Sequence, residues 1–267
     1  STVGRGCQCL MVSVVYRNRA LPLGWLVFKG SKGHSSQARH LDLLRQVQPL
    51  IPTGATVVLL GDGEFDGIEV LEQLEIWGWG YVCRTAKNTI LYEEDYRFSC
   101  ADWGAQRGMC LHLPDVLFTD ARYGPVMAVA WWRDVCDEPL YLVTNLELAE
   151  EACAFYQQRF LIETFFSDQK SRGFHLHKSH LRHPERLARL LIVACLAYIW
   201  MIYLGVQALP DEVRRRIHRV HRCDLSLFQL GMALLEEWLT QGDPIEVAFS
   251  VPPPPLLNSV RWCTLSF

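Results

Sequence analysis

The segment ATVVLLGDGEF (55–65) constrains the fold more than any other part of the chain. Its apolar run breaks off abruptly at Gly61, Asp62 and Gly63, and reads as a strand buried on both faces. Such a strand needs helices on both sides of its sheet, so helical segments must flank it in sequence. They do. SSQARHLDLLRQVQPLI (35–51) has helical spacing, with Ser35 or Ser36 as N-cap, and GIEVLEQLEIWG (67–78) follows with Asp66 placed to open it. CLMVSVVYR (9–17) and ALPLGWLVFKG (20–30) are β-rich runs separated by Asn18 and Arg19, a hairpin signal. YVCRTAK (81–87) is a further strand. The order strand, strand, helix, strand, helix, strand predicts an antiparallel first pair, with later strands joined through right-handed helical crossovers.

Residues 88–138 break this rhythm with short β-rich runs, CLHLPDVLF and PVMAVAWWR, and no long helix. They are expected to form a β-rich insertion. PLYLVTN (139–145) resumes the core as a strand, with Asn145 placed to cap the helix after it and Gly173 to end that helix. The expected division is a first core part (1–87), the insertion (88–138), a second core part (139–206), and a helical tail with a Pro-rich end (207–267). The tail holds an amphipathic helix, LSLFQLGMALLEEWL, and VPPPP (251–255) reads as a polyproline segment. Leu190–Val206 is an unbroken apolar run of 17 residues, taken here as a central core helix rather than a membrane span.

Net charge is −3, so the chain is no polycation, and a nucleic-acid partner would have to be held by local patches. Ten cysteines are scattered without any C-x-x-C pair, which fits reduced thiols better than a disulfide framework or zinc site. The first residue is Ser and no secretory leader precedes the fold, so the chain reads as a piece of a longer product.

Two places concentrate polar chemistry. Asp62 lies at the carboxyl end of the buried strand, where ligands gather in α/β sheets, and its flanking glycines permit close backbone approach. Glu64 would point away from it on a continuing strand. The second place is YQQRFLIETFFSDQK (156–170). On one helix at ~100° per residue, Arg159, Glu163 and Lys170 fall near ~300°, ~340° and ~320° from Tyr156. Phe155, Leu161, Ile162, Phe165 and Phe166 gather on the other side, between about 140° and 280°. The stripe is either a solvated face with an Arg159–Glu163 pair, or a set of groups that meets one ligand.

The spacing Tyr156-x2-Arg159-x3-Glu163-x6-Lys170 resembles, residue for residue, the Y-(2)-R-(3)-E-(6)-K signature of IS4-like DDE transposases. GDGEF resembles the second-Asp region of that family, with Gly63 where members often carry Arg, and YRNRALPLGW resembles its early strand pair. The resemblance runs to about residue 206. It implies an RNase H-like mixed sheet flanked by helices, with the β-rich insertion lying between the second Asp and the Glu helix. It also implies metal-dependent phosphodiester cleavage and strand transfer at transposon ends. Two Asp and one Glu would hold Mg²⁺, or Mn²⁺ in its place. Asp62 and Glu163 are then catalytic metal ligands, and Tyr156, Arg159 and Lys170 contact DNA. The implied partners are double-stranded DNA at transposon ends and target, and a second copy as a homodimer on DNA, with no membrane. The implied setting is the bacterial cytoplasm, in association with the nucleoid.

Asp42 is the only Asp before Asp62 and lies in a helical segment, so by resemblance the first catalytic Asp belongs on a strand upstream of Ser1. The chain alone is therefore expected not to cut DNA at a significant rate, and the alternative is a DNA-binding remnant without catalysis. Secondary DNA contacts are expected from Arg84 and Lys87 past a strand end, from Lys178 and Arg182 in a basic stretch, and from Trp132 beside Trp131. RRRIHRVHR (214–222) is a second basic cluster. The histidines of HLHKSHLRH lack the partners of a zinc site.

Overall fold

A computed structural model of the chain describes residues 2–4, 6–16, 18–30, 35–219, 223–245, 247 and 262–265, the first and last groups by backbone alone. The Pro-rich VPPPP segment lies outside the described residues, as do positions 220–222 of the second basic cluster. In chain order come β1 (Thr2–Gly4), β2 (Cys7–Tyr16), β3 (Arg19–Lys29), α1 (Gln37–Val47), β4 (Val58–Gly61), α2 (Ile68–Ile76) and β5 (Gly80–Thr85). Next are β6 (Ile90–Glu93), β7 (Tyr96–Ser99), β8 (Cys110–Phe118), β9 (Tyr123–Trp131) and β10 (Leu140–Thr144). Then follow α3 (Ala149–Gln158), α4 (Leu161–Gln169), α5 (Pro184–Gln207), α6 (Asp211–Ile217), α7 (Leu227–Gln241) and β11 (Trp262–Leu265).

The fold is mixed α/β. Seven strands form one sheet in the order β4-β5-β10-β9-β8-β6-β7. Within it β4 and β5 run parallel, joined by α2, and the other neighbours are antiparallel. The expected first hairpin is present as β2–β3, turning at Asn18, whose φ of 60° lies in the left-handed region that Asn tolerates. It belongs to a second sheet in which β1 and β11 also pair with β2, and β11 packs beside β4. Residues 88–138 extend the main sheet through β9, which pairs with β10.

Strand alternation sorts the interior into two layers. Cys9, Met11, Val58, Leu60, Val82 and Leu142 face one apolar cluster, completed by α3, α4, α5 and α7. Leu10, Val12, Leu59, Tyr81, Cys83, Tyr141 and Val143 face the other, completed by α1 and α2. β4 and its neighbour β5 thus bury both odd and even positions, as the unbroken apolar run in β4 requires. β4 is buried throughout.

Four local expectations change. The 156–170 stretch is not one helix. α3 stops at Gln158 and α4 starts at Leu161, because the amides of Arg159 and Glu163 bond three residues back, to Tyr156 and Phe160, at 3.0 and 3.1 Å. α4 closes at Lys170, short of Gly173. Asp66 does not cap α2: Gly67 holds that position, while Asp66 Oδ2 accepts a 2.8 Å hydrogen bond from the Thr85 hydroxyl. Asn145 caps no helix either. Its side chain accepts from the Tyr81 amide (2.8 Å) and donates to the Trp79 carbonyl (3.1 Å), tying the end of β10 to the start of β5.

The apolar helix α5 is a core helix on one face only. Leu187, Leu191, Tyr198 and Met201 are buried, while Ile192, Val193 and Leu196 are exposed. It is the one helix among the described residues long and apolar enough to cross a membrane. Its buried face packs on α7 at very close range: a Cβ on Gly205 or Gly231 would overlap the backbone of the opposite helix.

Candidate active site

The alternation that builds the layers also aims the site. Val58 and Leu60 face α3 and α4, so Asp62, two residues on, lies on the same side. By the same count Arg84 follows Val82 toward that side. Leu60 pairs with Val82 and Gly61 with Cys83 in the parallel β4–β5 register, which brings Asp62 and Arg84 to the same end of adjacent strands.

After β4 the chain turns sharply. The Phe65 amide donates to the Asp62 carbonyl (2.9 Å), and the Glu64 amide donates to Asp62 Oδ1 (3.2 Å). Gly61 makes the turn feasible, since a Cβ there would lie 2.5 Å from Phe65 Cβ and 2.9 Å from Cys83 Sγ. Glu64 does not continue a strand. Its Oε2 accepts from the Ser35 amide at 3.1 Å, anchoring the turn to the segment before α1.

Arg159 closes the site from the helix side. It is nearly buried, and its Nη2 donates to Glu163 Oε1 at 2.9 Å, while the Glu163 side chain stays 53% exposed. The guanidinium lies over the Phe160 ring at 4.4 Å and the Tyr156 ring at 5.5 Å. Burial raises the Asp62 carboxyl above its usual range, opposed by the Glu64 amide and the positive charge of Arg159. Arg159 therefore acts on both acids, through direct contact with Glu163 and through its field at Asp62.

Tyr156 is fully buried, and its hydroxyl has no hydrogen-bond partner in the structure. Burial pushes its phenol up to about 12, opposed by the charges of Arg159 and Arg84. It joins the site from within the core. Lys170, at the end of α4, holds its ammonium 5.4 Å from the Phe166 ring centroid. The solvated-face reading of this stripe fails for Tyr156 and Arg159, both buried, although the Arg159–Glu163 pair it required exists.

A cleft of about 710 Å³ opens beside Asp62, lined by Gly63, Glu64, Arg84, Lys87, Asn88 and, from the start of β10, Glu138 and Tyr141. The sequence reading anticipated Arg84 and Lys87 here but missed Glu138 and Tyr141. They lie more than fifty residues downstream, and only the β5–β10 pairing, with Tyr141 opposite Thr85, brings them in. Trp132 stands elsewhere, past the end of β9, its indole donating to the Cys136 carbonyl at 3.0 Å. Lys178 ends a short 3-10 turn, and the Arg182 carbonyl accepts from Cys7 Sγ at 3.5 Å. The second basic cluster is partly neutralised: Arg214 pairs with Asp211, Arg216 with Glu237 and Asp243, and His218 with Asp224.

Asp62 and Glu163 offer hard oxygen donors of the kind Mg²⁺ and Mn²⁺ prefer. They fit part of a divalent-ion site. Among the described residues no group of three or more His, Cys, Asp and Glu side chains gathers to complete one.

A family model described as "Transposase DDE domain" matches residues 1–200. Among curated proteins, none matches the sequence. Among solved structures, the cryo-EM synaptic complex of piggyBac transposase with hairpin DNA is similar, with a TM-score of 0.47 and 12% identity. That similarity covers 89% of this chain, which spans 50% of the piggyBac chain's length.

Proposed function

The chain belongs to the transposase DDE domain family, and from that membership we propose that it is the catalytic core of an IS4-like DNA transposase with an RNase H-like architecture. The observation that carries this reading is Arg159, which pairs with Glu163 at 2.9 Å while its charge acts on Asp62. Two acids far apart in the sequence thereby come under the influence of one cation, on the side of the sheet that Arg84 shares.

Asp62 and Glu163 would hold Mg²⁺ or Mn²⁺, and such an ion supplies activation of the attacking oxygen and charge neutralisation at the phosphate. The remaining work belongs to side chains. Arg159 is held nearly rigid by the Phe160 and Tyr156 rings, and its planar fork suits a phosphate's oxygens. Its bond to Glu163 uses one nitrogen, and a substrate phosphate would compete for that contact. Tyr156, with its ring centroid 5.5 Å from the guanidinium carbon, would help to position that cation. Arg84 and Lys87 line the cleft beside Asp62 and would follow the strand beyond the scissile phosphate. Lys170, Lys178, Arg182 and Trp132 are further proposed DNA contacts. Trp132 would act apart from the cleft, at the outer end of the β9 strand.

The third carboxylate would come from a segment outside the described residues. On this reading the chain alone binds DNA and cuts poorly. A DNA-binding remnant without catalysis is the second reading, favoured by the fact that among the described residues no third acid gathers with Asp62 and Glu163. Duplex DNA at transposon ends and target, a homodimer on that DNA, and the bacterial nucleoid as its setting complete the proposal.

The test is a nicking assay with Mg²⁺ or Mn²⁺, on this chain and on one extended upstream by an Asp-bearing strand. Cleavage by the extended chain alone, lost in Glu163→Gln, supports the enzyme. Salt-dependent DNA binding by both without nicking supports the remnant. Absence of DNA binding defeats both readings. Lys170→Ala should weaken DNA binding on all sequences and reduce the salt slope by about 1 if Lys170 meets one phosphate.

A further inference from the structure

Cys110 and Cys153 stand apart from the other thiols. Cys110, exposed at the start of β8, and Cys153, buried in the middle of α3, have their sulfurs 3.7 Å apart. Neither is in a disulfide. Forty-three residues separate them, so the contact is a product of the fold. Their positions explain it: Cys110 pairs with Trp131 on β9, and α3 packs across β9 and β5. The contact therefore joins the outer hairpin β8–β9 to the helix that carries Tyr156 and ends at Arg159.

We propose that Cys110 and Cys153 form a peroxide-responsive thiol pair, whose oxidation to a disulfide fastens the β8–β9 hairpin to α3. The separation exceeds an S–S bond of about 2.05 Å by less than ~2 Å, a distance side-chain rotation at an exposed strand end can close. The chemistry balances with hydrogen peroxide as oxidant. The Cys110 thiolate attacks a peroxide oxygen, the O–O bond breaks, and the departing hydroxide takes a proton to become water. The Cys153 sulfur then attacks the resulting sulfenic sulfur. The S–O bond breaks and the second water leaves with the Cys153 proton. Two thiols are oxidised and one peroxide is reduced to two waters.

The difference in exposure between the two thiols assigns the order: Cys110 is open to the oxidant and Cys153 is buried. Burial raises the Cys153 thiol well above its ordinary value, so Cys153 stays protonated near neutrality and serves as the resolving partner. Exposed Cys223, whose sulfur contacts the Leu225 carbonyl, is a natural internal comparison.

The experiment treats the chain with hydrogen peroxide, blocks remaining thiols, and maps peptides with and without dithiothreitol. The expected result is a reducible peptide pair joining Cys110 to Cys153. Slower backbone hydrogen exchange over 149–158 and a rise in Tm on the order of 5 °C should accompany it. Cys110→Ser, at an exposed position, should fold normally and abolish all three changes. Over-oxidation of Cys110 to sulfinic acid with no linked peptide would overturn the proposal. So would a linked peptide with unchanged exchange across α3, because the hairpin would then not be fastened to the helix.

Discussion

Lowering the pH from 7.5 to 5.0 should destabilise this chain through His40. His40 sits inside α1 with 0% exposure, and neither ring nitrogen has a hydrogen-bond partner. Its ring stacks on Phe65 at 4.3 Å between centroids, and Phe65 belongs to the turn that holds Asp62. Burial drives the imidazole from 6.5 down to about 4. Because the folded value lies below the unfolded one, the unfolded chain takes the proton first. The stability at stake is fully present above 6.5 and is lost as pH falls toward 4. Linkage across that interval gives a loss of about 2 kcal/mol at pH 5.0 relative to pH 7.5, on its way to about 3 kcal/mol below pH 4. For a chain of 267 residues, 2 kcal/mol corresponds to a Tm shift of about 3–4 °C. The assay is thermal unfolding across that pH range for the parent and His40→Leu. The variant removes the titration and keeps an apolar side chain against Phe65, so its Tm should fall less by that amount. Parallel pH profiles for the two proteins would refute the reasoning. A directly measured His40 titration midpoint near 6.5 would refute it as well.

Three further outcomes test the site. Gly61→Ala places a methyl group against Phe65 and Cys83 and should cost about 1–3 kcal/mol, read as a Tm loss of roughly 2–5 °C, with any metal-dependent nicking lost as well. Asp62→Asn should raise Tm at neutral pH, because burial raises the native carboxyl above its unfolded value, and the gain should vanish as pH falls through the carboxylate range. A Tm equal to the parent's at neutral pH would contradict that burial. Glu163→Gln and Arg159→Met should each destabilise by about 1–3 kcal/mol, and the double variant should cost less than their sum, because Arg159 is nearly buried and its partner is half exposed. Strict additivity in that thermal-unfolding cycle would remove the pair from the argument.

What the sequence disclosed and what it withheld separate along physical lines. β4 was legible because a strand buried on both faces cannot hide its composition, and Asp62 was legible because the apolar run stops there. The signature spacing named Tyr156, Arg159, Glu163 and Lys170, but a regular helix wheel treated them as one polar stripe. Two features defeat the wheel. The chain tightens at Arg159, so α3 and α4 are separate helices, and Tyr156 belongs to the interior with Phe155 and Phe165. A phenol and a guanidinium can be buried here because the two rings and Glu163 surround the cation, a three-dimensional arrangement that spacing cannot encode. Capping failed for a related reason. Asp66 and Asn145 have the chemistry of helix caps, yet each finds a partner on β5, Thr85 for one and the Tyr81 amide for the other. Side chains that could serve locally were drawn into the strand ends because polar groups buried there need partners more than a helix terminus exposed to water does. That same demand organises the site. Asp62 is raised by burial, and its turn is fixed by the Glu64 amide, by Glu64 on the Ser35 amide, and by Gly61 packed against Phe65. An acid held in this way is costly to the fold, and the positive charge of Arg159, which already has one carboxylate partner, offsets only part of that cost.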